Sequence, residues 1–142
     1  MFKGYPVFIY YPYQLSYLST LLKRELPNDQ TLMVDGAWMR FTAKDYIEFI
    51  ELEKPDWVVF EVDTVTYGQT LKIANRIRES ISCEVIFAGQ YPTAFPDKVI
   101  EDGYRWVCIG EFEGTVLDIL KGEDPKSITG LYPNGYRKVL DL

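Results

Sequence analysis

Three acids, Asp63, Glu111 and Glu113, and several tyrosines stand in short loops that follow apolar runs. Carboxylates and phenols are the main groups left for proton chemistry, because the 142-residue chain contains 0 histidines. That absence removes Ser-His-Asp and Cys-His mechanisms, imidazole acid–base catalysis near neutral pH, and most zinc chemistry. Cys83 and Cys108 lie in or beside predicted strands, far apart in sequence. A structural zinc or iron–sulfur centre takes about four ligands. The pair therefore reads as two buried thiols of a cytoplasmic protein. The sequence assigns no catalytic residue and no metal ligand. Asp63 has two open readings, a cap on the following turn or a group facing a ligand. Glu111 and Glu113 likewise either favour the positive end of a helix dipole or line a site.

These loops are positioned by a β-α rhythm repeated five times. Val7-Phe8-Ile9-Tyr10-Tyr11 is a β-rich apolar run ended by Pro12. Leu15, Leu18, Leu22 and Leu26 then fall at helical spacing before Pro27-Asn28-Asp29 stops the pattern. Residues 31–35 read as a second strand. Thr42 and Asp45 form a capping-box pair ahead of a helix carrying Tyr46, Ile47, Phe49 and Ile50. Residues 57–62 read as a third strand and 69–80 as a helix. Residues 84–88 are a fourth strand, and 95–102 a short helix closed by Gly103. Residues 105–109 are a fifth strand, and 111–120 the last clear helix. Trp57 and Trp106 read as packing residues. Continuous apolar strands separated by helices predict a doubly wound α/β domain, flavodoxin-like or Rossmann-like. Its five-stranded parallel sheet is expected in the order 2-1-3-4-5. Residues 1–125 make that domain, and 126–142 read as a linker or the start of another, with a small hairpin at Asn134-Gly135.

Composition narrows the function. A hydrophobic share of 47% and a charged share of 25% describe a globular domain. The net charge of −6 argues against nucleic acid and against anionic membrane surfaces. No run approaches the ~20 apolar residues of a membrane span, and the first residues lack the features of a signal peptide.

Ligands of open parallel sheets bind outside the carboxyl ends of the strands. Four loops make that edge here. Pro12, Tyr13, Gln14 and Leu15 follow the first strand, and Asp63, Thr64 and Tyr67 follow the third. Gly89, Gln90, Tyr91 and Pro92 follow the fourth, and Gly110, Glu111 and Glu113 the fifth. No loop matches G-x-G-x-x-G or a Walker A pattern. A rim of aromatics, hydroxyls and glycines suits a large flat ligand.

The stretch "AGQYPTAFPDKVIEDGYRWVCIGEFEGTVLDIL" resembles the N-terminal cobalamin-binding domain of radical S-adenosylmethionine enzymes. In that family the fourth strand ends in Gly-Gly followed by Pro-His-Pro-Thr, and the fifth in Ile-Gly-Glu-Gly-Glu. Gly89, Pro92, Thr93, Phe95 and Pro96 match the first block; Gly110, Glu111 and Glu113 match the second. "YQLSYLSTLLKREL" and "KPDWVVFEVDTVTYGQTLKIANRIRE" resemble the family's first helix and its third strand and helix. The resemblance covers roughly residues 7–132. It implies a module that holds cobalamin without a histidine ligand, for methyl transfer or radical chemistry on a small-molecule substrate. Gly89 would let the cofactor's nucleotide tail pass close to the backbone, with the prolines fixing the loop beside it. The implied partner is a C-terminal radical domain, which would carry a [4Fe–4S] cluster and S-adenosylmethionine.

Departures from the family pattern motivate an alternative. Gln90 stands for the second Gly, Tyr91 for the His, and Phe112 for the central Gly of Gly-Glu-Gly-Glu. Larger side chains at these places describe a degenerate domain of the same fold that serves as a docking or substrate-covering module. The Cys-x-x-x-Cys-x-x-Cys motif does not occur, so the chain reads as a fragment or a free-standing relative. A receiver-domain reading fails where Gly110-Glu111 replaces the expected Lys.

Overall fold

The computed structural model describes residues 12–137. The predicted strand at 7–11 lies outside them. The first described helix, α1 (Tyr13–Glu25), buries Leu18, Leu21 and Leu22 on one stripe. Lys23 and Arg24 occupy its last turn, where the negative end of the dipole favours cations. Residues 31–35 are expected to pair with 7–11, which lie outside the described residues. They join no ladder among the described residues and lead into turns at 36–40. An extended segment becomes a strand only through a hydrogen-bonded neighbour, and no described segment supplies one.

Helix α2 (Ala43–Glu53) starts as the sequence predicts. The Asp45 amide donates to Thr42 Oγ1 at 3.3 Å, and the Thr42 amide donates to Asp45 Oδ2 at 2.7 Å. The helix stops at Lys54, which takes a left-handed conformation with φ 48° just before Pro55.

Strands β1 (Trp57–Glu61), β2 (Glu84–Ala88) and β3 (Trp106–Val107) form a parallel sheet in that order. They are the third, fourth and fifth segments of the sequence pattern. The register pairs Trp57 with Glu84 and Glu61 with Ala88, then Ile86 with Trp106. Helices α3 (Tyr67–Ser80), α4 (Gln90–Ala94), α5 (Pro96–Glu101) and α6 (Glu113–Leu120) connect and follow the strands. The expected helix at 95–102 is thus preceded by a short one. Pro92 sits in the first turn of α4 and Pro96 opens α5, positions where a missing amide costs nothing.

Successive β2 residues face opposite sides, as pleating requires. Val85 and Phe87 pack with Ile73, Ile77, Val99 and Tyr104 on one face. Ile86 and Ala88 pack with Leu18, Leu22, Cys108, Phe112 and Val116 on the other. The sheet is therefore covered on both faces, with α2 against α3 on one side and α1 against α6 on the other. This is a mixed α/β architecture compatible with a Rossmann-like fold.

The segment beyond α6 returns along β3. The Ile109 amide donates to the Gly130 carbonyl at 2.8 Å, and the Tyr132 amide to the Val107 carbonyl at 2.9 Å. Leu131 makes an antiparallel bridge with Cys108, and Ile128 and Leu131 join the second core cluster. Asn134 Nδ2 donates to the carbonyls of Pro125 and Ile128, while the Gly130 amide donates to the Gly135 carbonyl. The pairing formed by Leu131 is with β3, not across Asn134-Gly135; residues 138–139 of the expected hairpin lie outside the described residues. Arg137 is ion-paired with Asp118 of α6.

Candidate functional site

The loops after β1, β2 and β3 meet at the carboxyl edge of the sheet, and three contacts tie them together. Beyond β1 the Val62 amide donates to the Ala88 carbonyl at 2.9 Å and extends the ladder by one bond. Val62 O then accepts from the Tyr91 amide at 3.1 Å. Beyond β2, Thr93 Oγ1 donates to the Gly89 carbonyl at 2.7 Å and accepts from the Gly110 amide at 3.0 Å. One hydroxyl thus joins the second loop to the third. The rings of Tyr67 and Tyr91 stack and join the first loop's helix to the second loop.

Asp63 resolves to the capping reading. Its Oδ1 accepts from the Thr66 amide and from Thr66 Oγ1, both at 2.8 Å, and its own amide donates to Thr66 Oγ1 at 3.2 Å. The Thr66 donors hold its carboxyl below the usual range. Thr64 is exposed beside it. Tyr67 is buried, and its hydroxyl donates to Asp102 Oδ2 at 2.7 Å. Burial first, then Asp102, keeps that phenol protonated well beyond its ordinary range.

Gly89 has φ 100° and ψ −160°, a combination essentially restricted to glycine. A Cβ there would lie 2.8 Å from Val62 O and 3.0 Å from Val62 N. The close approach that demands glycine is therefore made by the neighbouring strand's own backbone. Pro92 is fully buried, and Gln90 is exposed at the start of α4.

Gly110 also has a positive φ, 75°. Glu111 is exposed, whereas Glu113 is only 7% exposed at the first residue of α6. Burial pushes the Glu113 carboxyl up, and Glu111 adds to the shift. Burial also pushes Glu61 up at the end of β1, with Glu113 as the second cause. Glu61 thus feels the Glu113 carboxylate across the edge. Sequence reasoning missed Glu61, because alternation along β1 says nothing about which carboxylate faces another. It also missed the bridging role of Thr93, although the Pro-Thr pair was visible.

Pro12 caps α1 with its carbonyl, which accepts from the Ser16 amide at 3.0 Å. Tyr13 is exposed, Gln14 is half-buried, and Leu15 packs against the second core cluster.

The residues aligned with the cobalamin tail channel do not fit that cofactor. Gly89 faces backbone, Tyr91 lies on Tyr67, and Phe112 is 0% exposed between α1, α6 and the sheet. A tail threading beside these positions would have to displace core side chains.

No family model matches the chain, and no curated protein matches it. Its fold is similar to the crystal structure of the N-terminal domain of the hypothetical protein TM0182 from Thermotoga maritima. The TM-score is 0.57, with 17% identity over 87% of this chain and 95% of that one. At that identity the likeness shows the fold alone.

Proposed function

We propose that this chain is a Rossmann-like module related to the cobalamin-binding domains of radical S-adenosylmethionine enzymes, with the corrinoid slot closed by its own side chains. It acts by docking against, and covering, a catalytic radical domain. The observation that carries this reading is Phe112, which is 0% exposed where the family pattern has glycine. The docking face is the carboxyl edge, which displays Val65 at 90% and Phe95 at 51% exposure. The same reading extends the described three-stranded sheet to the expected five strands in the order 2-1-3-4-5. The half-buried residues all along β1 support a further neighbour there.

Titration with hydroxocobalamin, followed by absorbance and calorimetry, tests the closed slot. The expected result is no spectral change and no heat at high micromolar cofactor. The docking role is tested by mixing the chain with a purified radical S-adenosylmethionine domain and following co-elution. Complex formation should vanish in Val65→Asp/Phe95→Asp; an unchanged elution profile in the wild type would remove this role.

Cobalamin binding itself is the second reading. Gly110, which keeps the family's glycine with a positive φ of 75°, favours it. Saturable binding in the same titration would establish it in place of the closed-slot reading.

A further inference from the structure

One side chain pins the tail that returns along β3. Asn134 Nδ2 donates to the Pro125 carbonyl at 2.6 Å and to the Ile128 carbonyl at 2.9 Å, so both amide protons are committed. The backbone on either side is tied as well. The Asn134 amide donates to the Leu131 carbonyl at 2.8 Å, and the Gly135 carbonyl accepts from the Gly130 amide at 2.8 Å. Beyond this turn the chain crosses to the carboxyl edge. A Cβ on Gly110 would stand 3.0 Å from Tyr136 Cδ1, and Arg137 lies against Gly114 and is ion-paired with Asp118.

Asn134 is followed by glycine, whose missing side chain leaves the next backbone nitrogen free to reach the asparagine amide. We propose that Asn134-Gly135 is a deamidation site that works as a one-way latch. Intact, Asn134 seats the tail on β3; converted to a carboxylate, it releases it.

The conversion consumes one water and frees one ammonia. The Gly135 nitrogen bonds to Asn134 Cγ, its proton and the side-chain NH2 leave as ammonia, and a cyclic imide forms. Water then opens that ring at either carbonyl, giving aspartate or isoaspartate. Ring closure must pull Nδ2 out of both bonds and bend a turn whose flanking peptides are tied. The seated tail therefore reacts slowly and an opened tail fast.

The product cannot reseat. A carboxylate only accepts, so it faces the Pro125 and Ile128 carbonyls as one acceptor against two others. The surrounding charges do not compensate. Arg105 and Lys126 line the same depression, but Arg105 is bonded to Glu84, Asp97 holds the Tyr132 hydroxyl, and Asp124 caps the Lys126 amide. The acids there outnumber the cations.

The test ages the chain in mildly alkaline buffer, native or unfolded in guanidinium chloride, and weighs the tryptic peptide 127–137. Unfolded chain should lose the Asn134 amide faster than those of Asn28 and Asn75, which precede Asp and Arg. Native chain should lose it at least roughly tenfold more slowly than unfolded chain. Seating is read separately from hydrogen exchange of the Ile109 amide, which is bonded to the Gly130 carbonyl. In Asn134→Asp that amide should exchange roughly tenfold faster than in the parent. Equal rates of amide loss in the two states would overturn the proposal, as would an Asn134→Asp chain that protects Ile109 as well as the parent does.

Discussion

The ring of Tyr67 lies on the ring of Tyr91, with centroids 4.0 Å apart and planes 18° from parallel. Tyr67 opens α3 and Tyr91 belongs to α4, so this stack fixes two helices that leave neighbouring strands. The Tyr67 hydroxyl reaches on to Asp102, which also accepts from Lys98 Nζ at 3.1 Å. A chain of contacts therefore runs from the loop after β1 to the end of α5.

Tyr67→Phe keeps the stack and removes the hydroxyl. Asp102 loses the donor that does most to hold its carboxyl below the usual range. The expected loss is about 1 kcal/mol of unfolding free energy, the net worth of one hydrogen bond. Urea denaturation measures it. A variant as stable as the parent would show that the hydroxyl bond contributes nothing.

Gly89→Ala should be far more damaging than an ordinary surface change. The new methyl would meet Val62 backbone at 2.8 Å, and the φ of 100° is strained for any L side chain. Backbone cannot step aside as a flexible side chain can. A loss of about 3 kcal/mol follows, read as a lowered melting temperature in calorimetry.

Phe112→Ala opens a cavity in the second core cluster and should cost roughly 3–5 kcal/mol. Phe112→Leu keeps most of the volume and should cost about 1 kcal/mol. If the two variants melted alike, Phe112 would not be filling the core.

Glu61 and Glu113 make stability depend on pH in a definite direction. Both carboxyls are held above the ordinary value of 4.5 in the folded chain. The folded state therefore holds its protons to higher pH than the unfolded state does. Their contribution is present below 4.5 and is lost as pH rises through the folded values. Glu113→Gln should accordingly be more stable than the parent at neutral pH, with the gain shrinking below pH 4.5. Denaturation curves at the two pH values check this. A variant less stable than the parent at neutral pH would reverse the sign.

What the sequence disclosed was local. Thr42 and Asp45 stand three apart, and their two bonds appear as the spacing predicts. The runs at 57–62, 84–88 and 105–109 are apolar on both faces, and each holds a strand of the parallel sheet. Pro92 misled because proline marks both a stiff loop and a first helical turn, and the backbone took the second option, whereas Pro96 opens the helix expected at 95–102. The segment 31–35 joins no ladder among the described residues, and its expected neighbour at 7–11 lies outside them. The site was less legible than the fold. That Gly89 approaches Val62, that Tyr91 stacks on Tyr67, and that Glu61 senses Glu113 are all relations across gaps of more than twenty residues. No periodicity encodes them.

The return of Gly130–Tyr132 along β3 has a consequence for solubility. An open strand margin is a template on which a second molecule can grow. Here the chain's own tail segment already takes the Val107 carbonyl and the Ile109 amide, so molecules meeting on that flank find no vacant donors or acceptors at those residues and cannot nucleate a fibril through them.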